Sequence, residues 1–135
     1  MNTGDKKKVL IIDDDVDFAE SIATFLDLHG YTVFQARDAD QGIALAAAVR
    51  PDLILCDVMM KERTEGFFAV QQLRRTPGLE QTPIFMVSSV YAAVPSFRVE
   101  PDHSWLAHDE FITKPFDPVD LLARIKTIVP AEGTL

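Results

Sequence analysis

Four short runs in this chain are apolar from end to end, and each is followed within two residues by a polar group. They are Val9-Leu-Ile-Ile12, Leu53-Ile-Leu-Cys56, Pro83-Ile-Phe-Met-Val87 and Phe111-Ile112. A strand with one wet face alternates apolar and polar residues, whereas a strand that is apolar throughout has both faces covered. Between the runs the apolar period becomes helical. Phe18, Ile22, Phe25 and Leu26 recur at i, i+4, i+7 and i+8, and Gly30 is placed to close that helix. Tyr31 to Ala36 is rich in β-branched and aromatic residues and reads as a further strand. Asp38 with Gln41 three residues later has capping-box spacing. The Ala-rich helix it opens must end near Arg50, because Pro51 disfavours helix at the residue before it. Gly66 to Arg75 reads as a helix closed by Thr76-Pro77-Gly78. Asp117 caps a last helix with Pro118 at its first position and Leu121, Leu122, Ile125, Ile128 and Val129 on its apolar face. Strand and helix thus alternate five times, which predicts an α/β fold with a doubly wound parallel sheet and helices on both faces. Residues 89–109 are the exception. Pro95 and Pro101 break any long helix there, and a short turn around Ser104 to Ala107 is the most that segment suggests.

Composition narrows the class without naming a function. At 135 residues the chain is one domain's worth, with no repeat, linker or low-complexity tract. Its formal charge of −8 lacks the basic footprint of a nucleic-acid module. No apolar run approaches the ~20 residues of a spanning helix, and Met1 to Lys8 does not resemble a signal peptide. One cysteine excludes an internal disulfide and suits a reducing, cytoplasmic setting.

In open α/β sheets, ligands bind beyond the carboxyl ends of the strands. Here Asp13 and Asp14 follow the first strand, Asp57 the third, Ser88 the fourth and Lys114 the fifth. Three clustered carboxylates stay ionised together only around a cation; otherwise one becomes protonated. An oxygen-rich site with open positions suits Mg²⁺, which shares its shell with phosphate oxygens. Lys114 could pair with a phosphoryl oxygen, Ser88 could donate to another, and one Asp could serve as nucleophile. Each residue also has a plain explanation. Asp13-Asp14-Asp15-Val16-Asp17 reads equally as an acidic helix N-terminus, Asp57 and Ser88 as turn residues, and Lys114 as a solvated loop lysine. Their coincidence at one sheet edge favours the chemical reading.

Taken in order, Val9-Leu-Ile-Ile-Asp-Asp-Asp15, Pro51-Asp-Leu-Ile-Leu-Cys-Asp-Val-Met-Met60, Pro83-Ile-Phe-Met-Val-Ser88 and Phe111-Ile-Thr-Lys-Pro-Phe116 resemble the receiver domain of bacterial two-component response regulators. The resemblance covers residues 7–129, leaving 1–6 and 130–135 as tails, and implies a flavodoxin-like five-stranded sheet in the order 2-1-3-4-5. It implies that Asp57 is the phosphoacceptor, served by a histidine kinase or phosphotransfer protein. Asp13 and Asp14 would hold Mg²⁺ with Asp57 and the backbone carbonyl of Met59. Ser88 and Phe111 would be the switch pair, and Lys114 the cation on the phosphoryl group. By the same resemblance, Met59 and Val90 would occupy the two positions that tune phosphoryl lifetime in this family. Both are apolar and cannot orient a water, so self-dephosphorylation is expected to be slow. The resemblance further implies a single receiver domain over 1–135 without an output domain, signalling through a downstream protein, with a homodimer as one option. Its only catalysis would be of its own phosphorylation and dephosphorylation.

Departures from the family pattern lie at Lys61, where a proline is usual, at Gly66, one residue late, and in 89–109, which is long and lacks the usual Ala-rich fourth helix. Two alternatives are a phosphorylation-independent receiver-like interaction module and a small Asp-nucleophile phosphatase of the haloacid dehalogenase type. The second expects Asp-x-Asp-x-Thr/Val, and Asp13-x-Asp15-x-Asp17 misses its last position. His29, His103, His108 and Cys56 have plain roles as cap, loop and packing residues.

Overall fold

Short apolar segments that cannot alternate must be buried on both sides, and the fold does this by sandwiching them between two helical layers. The computed structural model describes residues 6–57, 65–88, 110–113 and 116–130. In chain order these form β1 (Lys8–Ile12), α1 (Val16–Leu28), β2 (Thr32–Ala36), α2 (Ala39–Val49), β3 (Leu53–Asp57), α3 (Glu65–Arg74), β4 (Ile84–Ser88), β5 (Glu110–Thr113) and α4 (Pro118–Ile128). The five strands pair in the order β2-β1-β3-β4-β5, all parallel. This is the strand order that the family resemblance implies.

Successive residues of each central strand point to opposite faces. Val9, Ile11, Leu53, Leu55, Phe85 and Ile112 pack against α1 and α4, through Ile22, Leu26, Leu121 and Ile125. Leu10, Ile12, Ile54, Cys56, Ile84 and Met86 pack on the other face against α2 and α3, through Ala39, Ala46, Val70 and Leu73. Gly42 lets α2 approach that face closely; a Cβ there would stand 2.5 Å from Cδ1 of Ile12.

The helix ends follow the local chemistry read from the sequence. Asp38 accepts the Gln41 amide at 2.8 Å, and the Gln41 side chain reaches back to the Arg37 amide at 2.7 Å. Asp117 accepts the Val119 amide at 2.9 Å, with Pro118 opening α4. Gly30, at φ 98°, sits one residue past the cap of α1. Its amide and that of Tyr31 return to the carbonyls of Asp27 and Leu26, which closes the last turn as a Schellman motif. Arg50 ends α2 in the left-handed region at φ 52°. The strand boundaries move slightly from those read in the sequence. Tyr31 precedes β2 and Pro83 precedes β4, while the polar Glu110 and Thr113 belong to β5. The expectation of a turn within 89–109 lies outside the described residues. No helix among the described residues is long and apolar enough to cross a membrane.

Candidate functional site

Strand register decides which polar residues meet. Ile12 pairs with Cys56 across β1 and β3, so the residues that follow, Asp13 and Asp57, leave the sheet side by side. Asp57 pairs with Val87 on β4, and Ser88 pairs with Thr113 on β5. Lys114 follows Thr113 directly in sequence. The carboxyl ends of four strands thereby converge on one edge, with Asp13, Asp57, Ser88 and Thr113 as their markers.

Asp13, Asp14 and Asp57 each bring one carboxylate oxygen to this edge, and the three oxygens lie within 4.8 Å of one another. Asp13 and Asp57 are buried, at 2% and 5% exposure, and Asp14 is open to solvent. Buried like charges at that separation need a compensating charge. A hard divalent cation with water in its outer positions fits an all-carboxylate donor set on a half-open edge. The three side chains therefore meet the chemical requirement for Mg²⁺.

The acidic run divides between two places: residues 13 and 14 at the sheet edge and residues 15 and 17 at the start of α1. Asp13 and Asp14 face Asp57. Asp15 caps α1, its carboxylate accepting the Phe18 amide at 3.0 Å, and Asp17 lies in the first turn, where the helix dipole favours an acid. Sequence reasoning did not single out Asp15. Its signal was its spacing, three residues before Phe18 at the start of the apolar period. Its own amide donates to the Asp13 carboxylate at 2.8 Å. Beside the cluster, Val16, Ala19, Gln35, Arg37 and Gln41 help line an open groove of about 290 Å³ that includes Asp13.

Other residues take the places expected of them. Cys56 is fully buried on the α2/α3 face, and His29 caps α1 with Nδ1 2.8 Å from the Phe25 carbonyl. The expectations for Met59, Val90, Lys114, Lys61, His103 and His108, and for the side chains of Ser88 and Phe111, lie outside the described residues.

A family model described as the response regulator receiver domain matches residues 9–126. The chain is 33% identical over 122 residues to the DNA-binding dual master transcriptional regulator RpaA of Synechocystis, covering 90% of this chain and 48% of that protein. It is 32% identical over 131 residues to the phosphate regulon transcriptional regulatory protein PhoB of Pseudomonas aeruginosa, covering 94% and 53%. The chain thus spans about half the length of these curated relatives. Among solved structures it is similar to the chemotaxis response regulator CheY4 of Vibrio cholerae, with a TM-score of 0.78, 29% identity and coverage of 92% and 99%. These likenesses favour neither the phosphatase nor the phosphorylation-independent alternative.

Proposed function

The chain belongs to the response regulator receiver domain family, and on that premise we propose that Asp57 accepts a phosphoryl group from a phosphohistidine donor. The observation that carries this reading is the buried Asp57 carboxylate held beside Asp13 and Asp14 at the carboxyl edge of the sheet. A carboxylate oxygen of Asp57 attacks phosphorus, the bond from phosphorus to the donor imidazole nitrogen breaks, and the imidazole leaves as a neutral group once protonated. The product is an acyl phosphate on Asp57. Asp13, Asp14 and Asp57 hold Mg²⁺, with the Met59 carbonyl assigned to the same shell. When bound, the ion neutralises charge that develops on the phosphoryl oxygens.

Lys114 follows the end of β5 and is assigned the remaining phosphoryl charge, while Ser88 at the end of β4 is assigned a hydrogen bond to the new group. Ser88 and Phe111 then carry the change to a protein-binding face. The donor is a histidine kinase or phosphotransfer protein, and the receiver of the signal is a further protein. The domain acts on itself alone. A single cysteine, buried beside the acceptor, fits the reducing cytoplasm.

Incubation with Mg²⁺ and acetyl phosphate, followed by mass spectrometry, tests the assignment. One phosphoryl adduct mapping to Asp57, absent in Asp57→Asn and absent after chelation of Mg²⁺, is the expected result. An adduct that survives Asp57→Asn would overturn it.

A further inference from the structure

Residue 15 touches both the acidic cluster and the helix beside it. Its amide donates to Oδ1 of Asp13 at 2.8 Å, which limits rotation of that buried carboxylate. Its own Oδ1 accepts the Phe18 amide at 3.0 Å, and its carbonyl accepts the Ala19 amide at 3.0 Å. Three groups of one residue thus join the turn after β1 to the first turn of α1. The orientation of the Asp15 amide toward Asp13 depends on the backbone of residue 15, which sits at φ −85°, ψ 94°. The side-chain cap holds that backbone in place, since an N-cap residue must keep extended dihedrals for its oxygen to reach the helix amides. Phe18, whose amide closes the cap, packs its ring edge-on against Phe116 at 5.6 Å. Phe116 immediately precedes Asp117, the cap of α4.

We infer that Asp15 is a positioning residue for the cation site, its side-chain cap on α1 holding the turn that orients the Asp13 carboxylate. The inference rests on the Mg²⁺ reading of the site given above. Its consequence is reciprocal: order in the first turn of α1 strengthens cation binding, and a bound cation strengthens the first turn. Asp15 is exposed, so its charge alone could also attract a cation. The two effects separate because serine caps a helix without carrying charge, whereas alanine does neither.

Calorimetric titration of Mg²⁺ into wild type, Asp15→Ser and Asp15→Ala, with amide hydrogen exchange read at residue 18, tests the inference. Both variants lose the same charge, so their comparison isolates the cap. Asp15→Ser is expected to bind Mg²⁺ about fivefold more tightly than Asp15→Ala, the ratio that corresponds to a cap of about 1 kcal/mol. In wild type and Asp15→Ser, Mg²⁺ is expected to slow exchange of the Phe18 amide, and in Asp15→Ala to leave it unchanged. Equal affinities in the two variants would overturn the inference, however far both fall below wild type. Failure of the underlying reading has a different signature: wild type that binds no Mg²⁺, or Asp13→Asn that binds it as wild type does.

Discussion

Tyr31 is a large, fully buried side chain with a polar atom at its tip, and that atom is satisfied. Its hydroxyl donates to the Val129 carbonyl at 2.7 Å, joining the residue before β2 to the C-terminal cap of α4 across 98 positions of sequence. Burial disfavours the phenolate and raises the hydroxyl above its ordinary pKa of 10.0. The folded chain therefore keeps this proton to higher pH than the unfolded chain does. The stabilisation is full below about pH 10, where both states are protonated. It is lost as pH rises from there through the raised folded pKa. Tyr31→Phe should cost about 1 kcal/mol or somewhat more near neutral pH, because the Val129 carbonyl loses its donor. The variant should also show a weaker fall in stability above about pH 10. Urea unfolding at neutral and alkaline pH checks both, and identical pH profiles would count against the burial argument.

At the scale of elements, the contact of α2 on β1 limits substitution. Gly42 is buried in α2, and a Cβ at its position would meet Cδ1 and Cγ1 of Ile12 at 2.5 and 2.8 Å. Ile12 is fully buried among Ala36, Ala39 and Ala46 on the same face and has little room to yield. Two effects oppose each other in Gly42→Ala. Alanine gains about 1 kcal/mol of helix propensity, while overpacking a filled core costs about 1–3 kcal/mol. With two atoms of a buried side chain inside contact distance, overpacking is expected to win, for a net loss of about 1 kcal/mol. Adding Ile12→Val, which removes the Cδ1 methyl, should recover part of it. Denaturant midpoints of the single and double variants give the answer. A stabilised Gly42→Ala would show that α2 shifts outward at little cost.

For the molecule as a whole, an excess of eight acids sets the background against which the site works. Several acids are dispersed: Asp15, Asp38 and Asp117 cap helices, and Asp120 pairs with Arg124 at 3.2 Å on the surface of α4. Asp13, Asp14 and Asp57 are not dispersed. Unit charges no more than 4.8 Å apart repel by at least roughly 1 kcal/mol in water and about 3 kcal/mol at an effective dielectric of 20. A cation bound between the three carboxylates would offset that repulsion. In chelator, Asp13→Asn should melt higher than wild type, since asparagine removes one charge and keeps an acceptor for the Asp15 amide. Mg²⁺ at about a hundred times its dissociation constant should stabilise wild type by about 2.7 kcal/mol, or roughly 10 °C in Tm for a domain of this size. It should leave Asp13→Asn nearly unmoved. Thermal melts with and without Mg²⁺ decide this, and a variant that melts lower in chelator would refute the repulsion argument.

Much of this architecture was legible from local sequence because its causes are local. Continuous apolar runs marked the central strands, since a strand covered on both faces has no reason to alternate. Asp38, Gln41, Asp117 and Pro118 marked helix starts, because a cap satisfies amides within three residues of itself. Boundaries at Tyr31, Glu110 and Thr113 were less legible, because pairing with a neighbouring strand overrides side-chain preference. The candidate site was legible as a set of residue types at strand ends, with Asp13, Asp14 and Asp57 grouped by the family resemblance, but the part of Asp15 as the cap of α1 was not. That Asp13 and Asp14 turn to Asp57 while Asp15 turns to α1 depends on the register of β1 against β3, which pairs Ile12 with Cys56 over 44 positions. Sequence alone determined which segments are strands, which are helices and where acids could gather. Only the tertiary structure brought Asp13 and Asp14 within reach of Asp57 and turned Asp15 to α1, because separation in space is set by strand pairing and not by order along the chain.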